Sequence, residues 1–341
     1  MKVVTFGEIL LRLASQGHKR LFQNDIIETS FCGAEANVAV SLSNYGIDSC
    51  FVTKVPSNDV GQAAINSLRY FGVDTFKVVK GGERLGLYYL EKGASQRPTK
   101  VLYDRAFSSI ANAKPTDFDW DQIFKGASWF HFTGINPSLS KSMSEVSLDA
   151  CKVAKEKGIT ISCDINYRRK LWSTREANKV MTELMKYVDV CIGNEEDAEN
   201  VFGIKADNTD VLKGNLDHKS YNQVAKKISS QFKCKYVAIT LRSSLSASVN
   251  KWAGILYSSE QDESFISKEY EISVVDRVGS GDSFSAGIIY SLINELSGQE
   301  SVDFAVAASC LKHTQEGDFN RVSIDDVRAL MNGDSSGRVK R

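Results

Sequence analysis

The chain has 341 residues, and its 42 lysines plus arginines balance its 42 aspartates plus glutamates to a formal charge of zero. That balance excludes a nucleic-acid binder built on a net basic excess, and equally a polybasic membrane-surface protein. Apolar residues at 42% and charged residues at 25% exclude disorder as the main state, and the length fits two domains or one large α/β domain with an insertion.

Val3 to Leu10 reads as a buried strand; Glu8 and Arg12 interrupt the apolar run, which is too short for a signal peptide or a membrane span. Ala34 to Tyr45 predicts a helix with Gly46 as its stop, Cys50 to Val55 a strand, and Val60 to Tyr70 a helix ending near Gly72. Trp129 to Phe132, Thr160 to Asp164, Val188 to Ile192 and Tyr236 to Leu241 predict strands, separated by helices near 140–157, 174–186 and 219–232. Two further helices start at about 281 and 301. Such alternation implies right-handed βαβ units and a parallel sheet covered on both faces. Residues 11–32 and 84–105 break the pattern as extended segments, with a hairpin expected around Gly93. The Ser/Gly/basic end, 334–341, is expected to be disordered. The seven cysteines are widely spaced with no C-x-x-C, which predicts reduced, buried thiols and a cytoplasmic protein.

The strongest chemical signal is Asp276-Arg-Val-Gly279-Ser280-Gly281-Asp282, between a strand-like run (Tyr270 to Val275) and a helical pattern. Two glycines around a serine let successive amides point one way; with the positive end of the helix they make an anion site suited to a transferring phosphoryl group. Asp282 beside that nest is placed to accept a proton from an attacking hydroxyl, with the helix dipole favouring its ionised form. The competing reading is a glycine-rich turn with Asp282 as an ordinary helix-cap acid. A dinucleotide fingerprint fails because Phe284 stands where its last glycine belongs, and no Walker A spacing occurs; the nearest decoy is Gly214 to Ser220. The four histidines, 18, 131, 218 and 313, have no metal-ligand spacing. His131 reads as a core or pocket-wall residue and His313 as structural.

Asp276-x-x-Gly279-x-Gly281-Asp282 resembles the C-terminal signature of the ribokinase/PfkB carbohydrate kinases, and Gly33-Ala-Glu-Ala-Asn37-Val-Ala resembles that family's glycine-rich sugar-binding segment. The resemblance covers about residues 2–330. It implies an α/β, ribokinase-like three-layer fold with a mainly parallel central sheet, one kinase domain over 1–333, and a small β-rich lid from 11–32 and 84–105. Tyr103-Asp-Arg105 and Asp164-Ile-Asn166-Tyr-Arg168-x-x-Leu171-Trp172 are similar to the branch acting on 2-keto-3-deoxygluconate. That likeness implies a sugar-acid site from Gly33, Asn37, Tyr89, Tyr103, Arg105, Arg168 and Asp318. Guanidinium groups suit a carboxylate substrate, because their planar fork pairs with both oxygens. Each residue also has an ordinary reading: Arg105 and Arg168 as surface ion-pair partners, Tyr89 as strand packing, Asn37 as a polar helix residue.

The resemblance further implies ATP as donor, Mg²⁺ as its ion, and a nucleotide side from Asn166, Asn194, Thr240, Arg242, Gly279 and Gly281. Catalysis falls to Asp282 with Gly279, Ser280 and Gly281. In the family an N-x-x-E motif organises magnesium; here Asn194-Glu-Glu-Asp197 ends on the shorter acid, so Asp197 is expected to act through water, or simply to cap a helix. The segment Thr240 to Ser248 lacks the family's glycine, and Ser246 and Ser248 are expected to alternate along the next strand. The expected activity is phosphorylation of 2-keto-3-deoxygluconate on its terminal hydroxyl. The alternatives are a fructokinase or other sugar kinase of this fold, and a catalytically inactive sugar-binding regulator. The expected partners are a small sugar acid and a second copy meeting through the lid, with no nucleic acid and no membrane.

Overall fold

A computed structural model describes residues 1–205 and 218–334. The decoy around Gly214 and the tail beyond Asp334 lie outside those residues. The strands are β1 (Lys2–Phe6), β2 (Leu10–Ser15), β3 (Ile27–Cys32), β4 (Asp48–Val52), β5 (Lys54–Val55), β6 (Val79–Lys80), β7 (Gly86–Glu91), β8 (Lys100–Asp104), β9 (Ala127–Thr133), β10 (Thr160–Asp164), β11 (Val190–Gly193), β12 (Tyr236–Ser244), β13 (Val249–Ser258), β14 (Glu263–Ile266) and β15 (Tyr270–Ser273). The helices are α1 (Ala34–Asn44), α2 (Asp59–Arg69), α3 (Trp120–Ile123), α4 (Ile135–Ser138), α5 (Lys141–Glu156), α6 (Thr174–Met185), α7 (Glu195–Phe202), α8 (His218–Phe232), α9 (Ser280–Ile293), α10 (Gly298–Lys312) and α11 (Ile324–Met331).

The large sheet has nine strands in the order β14-β13-β12-β11-β10-β9-β1-β4, with β15 also on β13. Strands β4 through β12 in that path pair parallel, and β13, β14 and β15 pair antiparallel. Its strands are apolar on both faces, as a sheet covered twice requires. Val4, Phe130, Cys191 and Val237 face one layer with α5, α6, α7 and α8. Their neighbours Val3, Trp129, Val190 and Ala238 face the other, against α1, α9, α10 and α11. All seven cysteines are buried free thiols.

The expected strand from Val3 to Leu10 divides in two. Its first half is β1; after Gly7, whose amide donates to the Val52 carbonyl at 3.1 Å, the chain leaves the sheet and restarts as β2 in a second layer. The cause is Glu8, whose carboxylate turns inward to Arg105 and Ser108 instead of continuing the strand. The second layer is a four-stranded sheet, β3-β2-β7-β8, and its β7–β8 pair is the expected hairpin. It is mixed rather than purely antiparallel, because β2 and β7 run parallel. Ser246 and Ser248 do not lie on a strand. Residues 245–248 make the tight turn between β12 and β13, where the Ser246 hydroxyl accepts from the amides of Ser248 and Val249 at 3.1 and 3.0 Å. The Ser248 hydroxyl accepts from the Ser95 amide at 2.9 Å, so the tip of the β7–β8 hairpin rests on this turn.

The small sheet is fixed to the large one by charge. Arg12 of β2, 3% exposed, donates to Asp276 at 2.6 Å and to Asp318, and the Tyr88 hydroxyl on β7 also donates to Asp318. A buried pair that loses one partner leaves an uncompensated charge, which costs about 3–5 kcal/mol. Arg12→Met is therefore expected to lower the urea unfolding free energy by about that amount. Lys186→Met, which breaks only the exposed Lys186–Glu183 pair, is expected to cost less than about 1 kcal/mol.

Candidate active site

A cleft of about 640 Å³ opens between the two sheets, at the carboxyl ends of the parallel strands, where open α/β sheets place their ligands. Its floor is the start of α9. Gly279 is the N-cap of that helix with φ +84°, in the left-handed region that favours glycine. A Cβ there would also overlap the Asp318 carbonyl. This turn leaves the Gly281 and Asp282 amides out of the backbone hydrogen bonding among the described residues and aims the helix's positive end at the cleft. A Cβ on Gly281 would meet only open space, so the room above it is free for an anion. Asp276 braces the turn: one carboxylate oxygen accepts from the Val278 amide at 3.1 Å, and the other accepts from Arg12 and from the Gly317 amide.

Asp282 is half-buried in that floor. Its Oδ2 accepts from the Asn37 side-chain amide at 2.6 Å, and the Asn37 oxygen accepts from the Gly33 amide at 3.3 Å. Gly33 is a glycine by close approach, since a Cβ would overlap the Glu8 carbonyl. Asn37 thus bridges the start of α1 to Asp282. Burial raises the Asp282 carboxyl to about 6, with Asp318 adding to the rise and Asn37, Arg168 and Lys312 opposing it. Removal from water outweighs the groups that favour the ionised form.

Other acids stand around it. Burial pushes Glu35 up to about 7, although it accepts from the Thr133 amide and hydroxyl. Burial and the neighbouring Asp197 and Asp282 push Asp164 well above the usual range. Asp197, raised by burial to about 6, accepts from the amides of Tyr167 (2.9 Å) and Asn194 (3.2 Å). Asn194 in turn caps α7 by accepting from the Asp197 amide, so the helix-cap reading of this pair is what the geometry shows. Among the described residues no three His, Cys, Asp or Glu side chains converge as a ligand set. The acids present, Asp164 and Asp197, suit an ion that keeps its waters and rides on phosphates, as Mg²⁺ does, and would accept from such waters.

Cations face these acids. Arg168 is exposed at the mouth, and among the described residues Arg168, Arg242 and Arg277 form no ion pair within 4 Å. Arg277 is half-buried with its Nε unpartnered, and burial and the nearby Arg242 lower its proton affinity. Thr240, Arg242 and Ser244 alternate along β12 on the cleft side. Arg105 also lines the cleft, but its Nε and Nη2 are taken by Glu8, and its guanidinium lies 5.2 Å from the Tyr103 ring centre.

Gly33, Asn37, Tyr103, Arg105, Asn166, Arg168, Asn194, Asp197, Thr240, Arg242, Gly279, Ser280, Gly281, Asp282 and Asp318 all line this one cleft. Tyr89 does not. It points the other way, 6.2 Å from the Phe22 ring, while its neighbour Tyr88 lines the cleft. Successive strand residues face opposite sides, so the choice of tyrosine needs to know which face of β7 is inward. Asp318 reaches the cleft, with its carboxylate engaged by Arg12 and Tyr88. Glu8, Arg12, Glu35, Tyr88, Asp164 and Arg277 were not singled out; Glu35, Asp164 and Arg277 stood inside quoted motifs, and Glu8, Arg12 and Tyr88 carried no local signal. His131 is a core residue, with Nδ1 on the Ser162 hydroxyl at 2.8 Å, and burial lowers it to about 3.

The sequence pattern described as "pfkB family carbohydrate kinase" matches residues 1–324. A 2-dehydro-3-deoxygalactonokinase of Haloferax volcanii is 30% identical over 336 residues, 98% of each chain. A 2-dehydro-3-deoxygluconokinase of Bacillus subtilis is 27% identical over 324 residues, 94% of this chain and 92% of the relative. The crystal structure of a 2-dehydro-3-deoxygluconokinase from Thermotoga maritima superposes with a TM-score of 0.94 at 50% identity, covering 98% of each chain. The chain belongs to the pfkB family of carbohydrate kinases.

A half-buried carboxylate whose proton affinity is raised opposes folding while it is ionised. With a folded value of about 6 against an ordinary 3.8, the cost of ionised Asp282 is present above pH 6 and disappears as pH falls toward 4. Asp282→Asn is therefore expected to raise the unfolding free energy by roughly 1–2 kcal/mol at pH 8, after allowance for solvent screening, and by almost nothing at pH 4. Denaturant melts of both proteins at the two pH values check this.

Proposed function

We propose that this pfkB-family enzyme transfers the γ-phosphoryl group of MgATP to the terminal hydroxyl of 2-keto-3-deoxygluconate, giving the 6-phosphate. The observation that carries the reading is the Asp282 carboxylate, fixed by Asn37 beside the free amides of Gly281 and Asp282 in a cleft that also holds unpaired arginines. The 50% identity to a 2-dehydro-3-deoxygluconokinase supports the choice of substrate.

In this reading Arg168 and the free Nη1 edge of Arg105 hold the sugar carboxylate, and the Tyr103 ring packs along the carbon chain. Asn166 and Asn194 face the nucleotide, and Thr240, Arg242 and Arg277 meet its phosphates. Asp282 takes the proton of the terminal hydroxyl as its oxygen bonds to the γ-phosphorus and the bond to the ADP oxygen breaks. A value near 6 suits this role: the group is ionised at neutral pH, yet basic enough to accept the proton. The nest of Gly279, Ser280, Gly281 and Asp282 meets the charge on the transferring group with fixed dipoles. Mg²⁺ would supply neutralisation of the phosphate oxygens, held through water by Asp164 and Asp197. The small sheet covers the sugar side and keeps water from the donor.

The proposal treats residues 1–333 as one kinase unit, active as a homo-oligomer through the exposed face of the small sheet, where Phe22, Ile26 and Leu102 stand in solvent. Seven buried thiols fit a reducing cytoplasm, and among the described residues no helix is long and apolar enough to cross a membrane.

In a coupled assay, 2-keto-3-deoxygluconate is expected to be phosphorylated far better than fructose or other neutral sugars; efficient fructose turnover with none on the acid contradicts the proposal. kcat/KM is expected to fall about tenfold per pH unit below pH 6 and to level off above it, as Asp282 loses its proton. Asp282→Asn is expected to lower kcat by roughly a thousandfold or more with sugar-acid binding retained. Arg168→Met is expected to raise the KM for the acid by roughly ten- to a hundredfold while changing that for ATP little.

A further inference from the structure

Glu8 stands where the chain leaves the large sheet for the small one, and the fold makes room for its carboxylate. Gly86, the first residue of β7, has to be small there, because a Cβ would overlap Glu8 Oε1 and crowd the Arg105 side chain. Arg105 Nε donates to Glu8 Oε2 at 2.7 Å, and Nη2 donates to the same oxygen. The other oxygen, Oε1, accepts from the Ser108 hydroxyl at 2.7 Å, so the carboxylate is held from both sides. All three residues are buried, and Glu8 and Arg105 both line the cleft. A guanidinium carries five N–H donors in a fixed fork. Glu8 takes the Nε edge, and among the described residues no acceptor engages Nη1. The end of the fork, Nη1 with the second hydrogen of Nη2, is the edge that pairs with a carboxylate through parallel hydrogen bonds. An ion pair buried this deeply is a weak stabilising device, since desolvation offsets most of its attraction. What it does supply is orientation: anchored along one edge, with the Tyr103 ring 5.2 Å away, Arg105 keeps one rotamer and an open edge.

We propose that Glu8 is a positioning residue for the acceptor: it never touches the sugar acid, and it holds Arg105 so that the open end of the guanidinium meets the substrate carboxylate. This rests on the reading of the acceptor as a sugar acid. Two effects of Glu8 on that acid have opposite signs. Its negative charge repels a second carboxylate, so removal of the charge alone would tighten binding. Its hydrogen bonds fix Arg105, so their removal makes the substrate itself order the side chain, which loosens binding. The proposal is that the second effect wins.

The test is steady-state kinetics of Glu8→Gln with 2-keto-3-deoxygluconate and ATP. The KM for the acid is expected to rise about tenfold, with kcat falling less than about threefold and the KM for ATP moving less than about twofold. An unchanged or lower KM for the acid overturns the proposal. The same substitution is then placed in an Arg105→Met background, where Glu8 has no guanidinium left to hold. There it is expected to cause no further loss of kcat/KM. A Glu8 that only supports the fold would cost the same factor in both backgrounds, and that result also overturns the proposal. If Glu8→Gln does not fold, Ser108→Ala takes its place, since it removes only the hydroxyl on Oε1. It is expected to raise the KM for the acid roughly two- to fivefold at unchanged kcat, and an unmoved KM there is a refutation. The two readings fail separately. A wild-type enzyme that turns over fructose and not the acid refutes the substrate, whereas a wild-type enzyme selective for the acid with an unmoved KM in the variants refutes only the role of Glu8.

Discussion

Asp276 and Asp318 share one guanidinium, that of Arg12, away from water, and the shape of the cleft floor follows from that sharing. Charges this deep persist only when each is matched, so the three side chains fix the relative positions of three distant pieces of chain. One is β2 of the small sheet, one the segment before α9, and one the segment before α11. With Asp318 so placed, its carbonyl lies where a side chain at 279 would stand, and residue 279 must be glycine on that ground as well as for its left-handed backbone. That turn in turn leaves the amides of Gly281 and Asp282 without backbone partners. The covering sheet and the phosphate nest are therefore two ends of one buried network.

The balanced charge of the whole chain hides a divided site. On one side Glu35, Asp164, Asp197 and Asp282 are all held above their ordinary proton affinities by burial. On the other, Arg168, Arg242 and Arg277 line the cleft and, among the described residues, form no ion pair within 4 Å. Neither group is comfortable alone. An anionic acceptor and a polyphosphate donor with its cation would relieve both, which is why the cleft is better suited to two charged ligands than to a neutral sugar and water.

Contiguous chemistry was legible in the sequence. Gly279 to Asp282 sit next to one another, so the glycine turn, the helix start and the acid could be read together, with an ordinary glycine-rich turn and a helix-cap acid as the competing reading. The parallel sheet followed from alternating apolar strands and helices for the same local reason. What depended on tertiary partners was not legible. Arg12 and Asp318 meet across 306 residues. The resemblance offered Arg105 as a carboxylate binder, with an ion pair as its ordinary reading; half of its fork is in fact spent on Glu8, 97 residues away. The resemblance implied Tyr89, whose ordinary reading was strand packing; Tyr88 lines the cleft instead, because period-two alternation gives a strand two faces without saying which is inward. Ser246 and Ser248 were read as strand, although the Ser246 hydroxyl closes a tight turn there and Ser248 receives the β7–β8 hairpin.

The account turns on Asp282 removing a proton while the phosphoryl group passes directly from donor to acceptor. A carboxylate in that place has one alternative, to take the phosphoryl group itself and hand it on. Transfer from ATP made chiral at its γ-phosphorus with oxygen isotopes separates the two. A single in-line displacement predicts inversion at phosphorus in the sugar phosphate; retention would mean two displacements through a phosphorylated enzyme, and would contradict Asp282 as the base.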